Sequence, residues 1–201
     1  MIAALLMAAA APETAVEAER AFAARAQAAG QWKAFAEFAA DEAMMFVPEP
    51  VRAKEWLAKQ PEEKQAVAWS PSASYVSCDG DTAVNTGPWW LAGATRDGFF
   101  TTVWSKGAEG WRWTYDGGAP LKTPRAKVAE PVVERASCEA IPISNTPPVR
   151  PGVKHGGGSS RDGSLIWGWS VEANGARHFK AQIWTGDRFR TVVEDVVPAA
   201  T

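Results

Sequence analysis

The sequence is poor in several features that would narrow its function. It has two cysteines and two histidines, too few for a zinc site built from these residues alone. Its 21 lysines and arginines face 23 aspartates and glutamates, so it lacks the positive excess of a general nucleic-acid binder. No apolar run reaches the about 20 residues that span a bilayer as a helix. We therefore expect no metal, no cofactor, no nucleic-acid partner and no transmembrane span.

Tryptophan, by contrast, is abundant: the 201 residues include 11 tryptophans and only 2 tyrosines. The hydrophobic fraction of 46% and the charged fraction of 22% are typical of globular proteins. The composition indicates a folded chain with an aromatic core or pocket, and it identifies no reaction.

The first eleven residues are apolar and uncharged. Their length and the small residues Ala8-Ala9-Ala10 are typical of a secretory signal peptide, so we predict export to the periplasm or beyond. No lysine or arginine precedes the run, and an apolar beginning of the first helix is the alternative. In an oxidising compartment Cys78 and Cys138 could pair as a disulfide; two separate buried thiols are the alternative.

The chain divides by pattern into four parts. Beyond residues 1–11, the segment 13–119 begins with three predicted helices, at 13–29, from residue 31 to about 39, and at 51–60. Asp41 and Glu42 follow the second helix, a short strand is predicted at 43–47, and a meander of about four strands follows from residue 66 to 117. Helices followed by an antiparallel sheet predict an α+β fold.

The C-terminal part differs in composition. Residues 120–163 contain many of the 14 prolines, which predicts an extended connector, and 155–160 read as a flexible loop. The segment 164–198 contains three strand patterns, at 165–171, 176–184 and 189–197, with turns at Asn174-Gly175 and Gly186-Asp187. This segment is predicted to be a C-terminal β meander.

Several strings in residues 13–119 together resemble the nuclear transport factor 2-like superfamily, specifically its polyketide cyclase-like (SnoaL-like) bacterial domains of unknown function. The strings are Glu19-Arg20-Ala21-Phe22, Phe38-Ala39-Ala40-Asp41-Glu42-Ala43, Glu55-Trp56-Leu57, Thr86-Gly87-Pro88-Trp89, Thr102-Val103-Trp104, and Gly110-Trp111-Arg112 with Asp116. The resemblance implies a cone, in which a curved antiparallel sheet wraps around helices and leaves a pocket at the wide end. It also implies a homodimer that pairs through the outer face of the sheet.

Carboxylates in this part are the candidates for catalysis. Where catalysts of the superfamily carry a base before a proline, this chain has Val47, and Glu49 lies two residues beyond. Asp41 ends the predicted second helix, where a negative charge opposes the helix dipole. Asp116 shares a strand face with Arg112 and Thr114, opposite Trp111, Trp113 and Tyr115. It reaches the pocket only if a bulge near Gly117-Gly118 reverses the register; otherwise it is structural.

The aromatic residues are the candidates for ligand binding. We predict that an apolar or aromatic small molecule stacks in a pocket formed by Trp32, Trp56, Trp69, Trp89, Trp104 and Tyr115. Trp89 and Trp90 are adjacent in a strand, so one of them must lie off the core.

Three functional hypotheses follow. The first is a ligand-binding protein, and the second an isomerase, lyase or cyclase that uses Asp116 or Asp41. In the third, the C-terminal meander covers the sheet and no free site exists.

Overall fold

A computed structural model describes residues 12–93, 97–142 and 153–199. The predicted signal peptide at residues 1–11 lies outside the described residues. In chain order the helices and strands are α1 (Ala15–Ala29), α2 (Gln31–Phe38), β1 (Ala39–Phe46), β2 (Pro50–Arg52), α3 (Ala53–Leu57), β3 (Ala68–Trp69), β4 (Ala73–Val76), β5 (Thr82–Trp90), β6 (Asp97–Gly107), β7 (Gly110–Pro120), β8 (Val132–Arg135), β9 (Lys154–Ser159), β10 (Leu165–Val171), β11 (Arg177–Trp184) and β12 (Phe189–Val197).

The first helix begins and ends at residues suited to those positions. The Thr14 side chain accepts a hydrogen bond from the Glu17 backbone N–H, and the Glu17 carboxylate accepts one from the Thr14 N–H. This reciprocal capping satisfies two backbone donors that the first turn leaves free. The helix ends at Gly30, whose φ of 109° is accessible to glycine and strained for other residues.

The second helix is shorter than predicted, because β1 already begins at Ala39. Asp41 and Glu42 therefore lie in a strand rather than at a helix end. Pairing with β7, in which Ala39 lies beside Trp113, overrides the helical preference of the alanines in this stretch. The third helix spans Ala53–Leu57 and is likewise shorter than the predicted 51–60.

Strands β1 to β8 form one eight-stranded sheet, in the order β2-β1-β7-β6-β5-β4-β8 with β3 paired to β5. The predicted α+β class is confirmed. The sheet is mixed rather than purely antiparallel, since β1 runs parallel to β7 and β4 runs parallel to β8. Sequence patterns did not predict these pairings because each joins segments separated by more than 50 residues.

The two faces of this sheet contact different layers. What we call the inner face packs against the helices, and its central row is Ala83, Trp104 and Trp113. What we call the outer face packs against the second sheet, and its central row is Val84, Val103 and Tyr115. The protein thus has three layers: helices, mixed sheet and C-terminal sheet.

The predicted connector contains two strands. β8 joins the edge of the first sheet beside β4, although Val132 and Val133 remain exposed. We predicted a flexible loop at residues 155–160, and this prediction is wrong. Strand β9 covers most of that stretch and pairs with β10 along its length. Its glycines fit because the Trp169 indole lies against Gly156 and the Trp167 indole against Gly158, where side chains would be crowded.

The second sheet is antiparallel, with the order β12-β11-β10-β9, so it has one strand more than predicted. Leu165, Phe179 and Ile183 are buried against the outer face of the first sheet. The face through which the resemblance implied dimer formation is therefore covered by this chain's own second sheet.

A disulfide and a pair of turns hold the second sheet in place. Cys78, after β4, is bonded to Cys138 beyond β8. The backbone N–H of Cys78 donates to the Ser164 hydroxyl at 2.8 Å, and the N–H of Asp79 donates to the Asp162 carboxylate at 2.7 Å. These contacts fix the β4–β5 turn to the beginning of β10.

Candidate functional site

The inner face buries a carboxylate supplied by α1. Glu19 is fully buried, and its Oε1 accepts a hydrogen bond from the Trp69 indole at 2.8 Å. Its Oε2 accepts one from the Trp104 indole at 2.7 Å and one from the Asn85 amide at 3.2 Å. Burial raises the pKa of Glu19 to about 7, and these three hydrogen bonds limit the increase because they stabilise the ionised form.

Asp116 also belongs to the inner face, because a bulge changes the register of β7. Trp113 lies opposite Trp104, whereas Tyr115 lies opposite Val103, so Thr114 is an extra residue. Beyond this bulge Asp116 aligns with Thr102, which aligns with Asn85 on β5. From the sequence we considered a bulge near Gly117-Gly118; the bulge lies at Thr114, three residues before Gly117.

The Asp116 carboxyl is incompletely paired. Among the described residues it has one hydrogen bond, from the Thr102 hydroxyl at 3.2 Å, and the residue is only partly buried. Although the residue as a whole keeps some exposed surface, burial of its carboxyl, together with the charge of Glu19, raises the pKa of Asp116 to about 8. The raised pKa favours the protonated form of Asp116, and in that form the carboxyl can donate a hydrogen bond.

Two further polar atoms near this row have no hydrogen-bond partner in the part of the chain that the structure describes. They are the side-chain oxygen of Asn85 and the indole nitrogen of Trp113, and both are buried. Such atoms are uncommon in folded proteins because each costs about 1–3 kcal/mol. With Asp116 they give the inner face an acceptor, a donor and a protonatable group whose hydrogen-bonding capacity is unused.

No protein-family model matches the sequence, and no curated protein does. Similar solved structures include a nuclear transport factor 2-like protein of unknown function from Shewanella oneidensis MR-1, with 17% identity over 51% of this chain and 94% of that chain and a TM-score of 0.42. A nuclear transport factor 2-like protein with a cystatin-like fold from Novosphingobium aromaticivorans has 16% identity over 55% of this chain and 81% of that one, with a TM-score of 0.42. The CamKII hub homology domain of Chlamydamonas reinhardtii has 21% identity over 53% and 96%, with a TM-score of 0.40.

The helices, the curved sheet and the order of elements are those that the resemblance implied. The first part of this chain is similar to these nuclear transport factor 2-like structures. At these identities the likeness concerns the fold, so any function must be argued from the residues of this domain.

The predicted ligand-binding tryptophans of residues 13–119 fall into two groups. Trp69 and Trp104 are buried in the core and donate to Glu19. Trp32, Trp56 and Trp89 are half-buried and pack against the rim of the same cluster. Trp32 meets Trp56 edge-to-face, with ring centroids 5.2 Å apart. Only the second group has surface left for a ligand.

Tyr115 and Trp90 lie on the other side of the domain. Tyr115 belongs to the outer face and stacks on Phe179 of the second sheet, at 4.6 Å between ring centroids. Trp89 packs against the inner cluster, whereas the Trp90 ring contacts the Lys127 ammonium at 3.6 Å. The adjacent tryptophans thus separate, and the second is covered by the connector.

Asp41 and Glu49 lie at the surface. The Asp41 side chain is 90% exposed and accepts a hydrogen bond from Lys54 at 2.7 Å, which lowers its pKa. It borders an open, charged cleft with Lys106 and Arg112. Glu49 pairs with Lys154 of β9. Neither carboxylate belongs to the inner-face row that contains Asn85 and Asp116.

The sequence reasoning missed Glu19 as a functional candidate, although a signal was present. Ala15, Phe22 and Ala26 mark the buried stripe of α1, and Glu19 lies within it. A carboxylate in the middle of an apolar stripe requires buried donors. We used Glu19 only as part of a family string and drew no conclusion from this position.

Two searches were confined to the described residues. Within 12–93, 97–142 and 153–199, no group of three or more histidine, cysteine, aspartate or glutamate side chains could hold a metal ion. Over the same ranges, no helix is long and apolar enough to cross a membrane.

Proposed function

We propose that the nuclear transport factor 2-like domain binds a small apolar or aromatic molecule at its inner face, with Asp116 as the polar contact. The observation that carries this proposal is the Asp116 carboxyl: it faces inward and has one hydrogen bond among the described residues, which leaves most of its hydrogen-bonding capacity unused. A protonated carboxyl donates well to a carbonyl or hydroxyl oxygen.

The next row of the inner face contributes apolar surface beside this group. It consists of Gly87, Phe100 and Gly118 in register, so one aromatic side chain stands between two glycines. Phe100 and the half-buried Trp89 supply apolar surface near this end of the sheet. An apolar ligand with a single oxygen atom suits such a lining, because orientation requires few polar contacts.

The test uses 2-tetralone, an aromatic ketone with one carbonyl, and follows its binding by tryptophan fluorescence and by carboxyl carbon chemical shifts. Asp116→Ala should weaken binding about tenfold, whereas Asp116→Asn, which can still donate, should retain it. Asp41→Ala is the matched control and should bind as the unchanged protein does. Equal affinity of the unchanged protein and Asp116→Ala would contradict the proposal.

Proton transfer by Asp116 is the second candidate function. A pKa of about 8 is close to neutral, as a general acid or base requires, and Glu19 supplies the second charge that raises it. Bound 2-tetralone should then exchange its α-hydrogens for deuterium faster than in buffer. In Asp116→Asn the exchange should stop while binding persists; persistence of exchange in that variant would exclude this role.

We further propose that the protein is exported, which the disulfide and the N-terminal alanine-rich run both support. Non-denaturing mass spectrometry of protein from its native compartment would measure cleavage, disulfide state and subunit number together. An uncleaved, reduced chain would contradict export. A homodimer, if one forms, would have to use a surface other than the covered outer face.

A further inference from the structure

The two described sheets end in β2, β8, β9 and β12, and β9 differs from the other three strands. β2 has three residues and begins with Pro50, and β8 has four residues, among them Glu134 and Arg135. β12 carries Arg190 and Glu194, and its pairing with β11 contains a bulge. Short strands, prolines, charges and bulges are the features by which proteins prevent an edge strand from pairing with another chain.

β9 lacks these features along most of its length. It has six residues and pairs with β10 in an uninterrupted register. From His155 to Ser159 it contains three glycines and no proline or acidic residue, and most of the strand is exposed. Lys154 begins the strand, and its charge is paired with Glu49 at 2.7 Å. The edge therefore presents little that would repel a further strand.

The hydrogen bonds to β10 show which backbone groups of β9 remain unpaired. The Ser160 N–H donates to the Leu165 carbonyl at 2.8 Å, where the β9–β10 hairpin closes. Because only alternate residues of an antiparallel pair bond to each other, the even-numbered residues of β9 bond with β10. The odd-numbered residues, His155, Gly157 and Ser159, direct their N–H and C=O groups away from the sheet. Among the described strands none pairs with this side of β9.

Two indoles lie beside these unpaired groups. Trp167 and Trp169 project from β10 over β9, and both are half-buried. A side chain at Gly156 would come within 2.7 Å of the Trp169 ring, and one at Gly158 within 3.3 Å of the Trp167 ring. Tryptophans that keep some exposed surface are enriched in protein interfaces. A strand added at this edge would therefore gain both hydrogen bonds and aromatic contacts.

We propose that β9 pairs antiparallel with β9 of a second copy of this chain, which joins the two C-terminal sheets into one continuous sheet. The two-fold axis passes between the two Gly157 residues, and His155 of each copy lies opposite Ser159 of the other. This interface is an edge of the second sheet rather than the outer face of the first, which is covered. It does not involve the inner face, so it is independent of the proposed ligand site.

The hydrogen-bond pattern of β9 favours a second copy over an unrelated peptide. A two-fold axis perpendicular to the sheet makes the two strands antiparallel. With the axis at Gly157, every outward-facing residue meets another outward-facing residue, so no backbone group in the interface is left without a partner. The two Lys154 side chains lie at opposite ends of the interface, and each keeps its own Glu49. The edge is thus complementary to itself in both hydrogen bonding and charge.

The indoles fit the same register. Gly156 of one copy lies opposite Gly158 of the other, so no side chain separates the indole above one from the indole above the other. Paired strands are about 5 Å apart, which brings Trp169 of one copy within contact distance of Trp167 of the other. The exposed surface of both indoles would become buried on dimer formation.

The first test measures the mass of the full-length, disulfide-bonded protein by sedimentation equilibrium, from about 5 μM to about 500 μM. One strand pair with four indoles is a small interface, so we expect a monomer–dimer equilibrium with a Kd of about 10–100 μM. The mass of one chain at every concentration would overturn the proposal, and an unrelated extended peptide would then be the better candidate for this edge.

Amide hydrogen exchange locates the interface. At a total concentration about tenfold above the Kd, only about one fifth of the chains are monomeric, so the amides of His155, Gly157 and Ser159 should exchange about fivefold more slowly than in dilute solution. Gly156 and Gly158 are the internal controls, because their amides already donate to β10 and should change less than twofold. Slowing of both sets alike, or of neither in a sample that is dimeric, would contradict pairing through β9.

A proline at the edge separates the dimer from the monomer fold. Ser159→Pro removes an outward-facing N–H and places a ring in the interface, but it removes no backbone hydrogen bond within the chain. It should weaken dimer formation at least about tenfold. Ser159→Ala is the matched control, since it keeps the N–H and should change the Kd less than about threefold. A Kd unchanged in Ser159→Pro would overturn the proposal.

Charge variants test the register without proline. The double variant His155→Asp, Ser159→Asp places two carboxylates opposite each other at both ends of the interface and should stay monomeric. The double variant His155→Lys, Ser159→Lys should stay monomeric for the same reason, whereas a mixture of the two should form a heterodimer. Failure of the mixture to associate while the unchanged protein dimerises would refute this register. Asp116→Ala should dimerise as the unchanged protein does, even though it weakens binding of 2-tetralone.

Discussion

On its inner face the sheet buries the Glu19 carboxylate among neutral donors, whereas on its outer face it buries the Asp195 carboxylate beside a cation. Two indoles and one amide hold Glu19, and burial still raises its pKa to about 7. Arg125 and the Thr101 hydroxyl hold Asp195, and part of Arg125 remains in solvent. The buried carboxylate of the inner face is thus held by hydrogen bonds inside the core. The buried carboxylate of the outer face is held by an ion pair whose arginine is partly in solvent.

Removing the disulfide should have the largest effect and should act on the outer layer. The double variant Cys78→Ala, Cys138→Ala frees a loop with a sequence separation of 60 residues. The entropy of that loop predicts a loss of about 4 kcal/mol in the free energy of unfolding, measured by urea denaturation. Hydrogen exchange should accelerate in β10 to β12 before it does in α1. A loss below about 1 kcal/mol would mean that packing alone holds the second sheet.

The pH dependence of stability should report on the inner face. Because the pKa of Glu19 rises from 4.5 to about 7 on folding, the folded protein retains a proton that the unfolded chain releases between these values. The contribution of Glu19 to the free energy of unfolding should therefore fall by about 3 kcal/mol as the pH rises from 4.5 to 7. Asp116→Asn removes the similar contribution of Asp116. The contribution of Glu19 is the difference in the free energy of unfolding between Asp116→Asn and the double variant Asp116→Asn, Glu19→Gln. If that difference does not change with pH, Glu19 does not have the raised pKa.

Trp69→Phe should cost about 2–3 kcal/mol, because it leaves the Glu19 Oε1 atom buried without a partner and removes some core volume. Trp89→Phe is the matched control: Trp89 lies opposite Trp69 in register but is half-buried and does not donate to Glu19. Its cost should stay near 1 kcal/mol or less. Equal costs in a denaturation series would show that volume, not the hydrogen bond, determines the effect.

Thr101→Val tests the outer face and should have the smallest effect, about 1 kcal/mol. Asp195 then loses one hydrogen bond but keeps its ion pair with Arg125. Thr191→Val, on the second sheet, serves as the control and should change stability by less than about 0.5 kcal/mol. If Thr101→Val lowered the free energy of unfolding as much as Trp69→Phe does, the two faces would not differ in how strongly they depend on hydrogen bonds to their buried carboxylates.

Local patterns predicted the helices, the meander and the three later strands, because apolar periodicity and turn residues reflect local structure. They could not predict the parallel pairs β1–β7 and β4–β8, which depend on distant segments. The glycines of β9 were read as a loop, since nothing local indicates that Trp167 and Trp169 lie against them.

The site was predictable to a smaller extent than the fold. Asp116 was chosen from the alternation of β7, but the face that it occupies depends on a one-residue bulge at Thr114, which has no distinct sequence signal. Tyr115, predicted as a pocket residue, moved to the outer face by the same shift. Trp69 and Trp104 were predicted as ligand contacts; their indoles are engaged by Glu19, a partner 50 and 85 residues away in sequence.

The second sheet belongs to the same polypeptide as the surface that it covers. A covering layer supplied by another molecule would dissociate on dilution, because its occupancy depends on concentration. Here docking is a unimolecular step, so the fraction of molecules with a covered outer face is the same in a dilute solution as in a concentrated one.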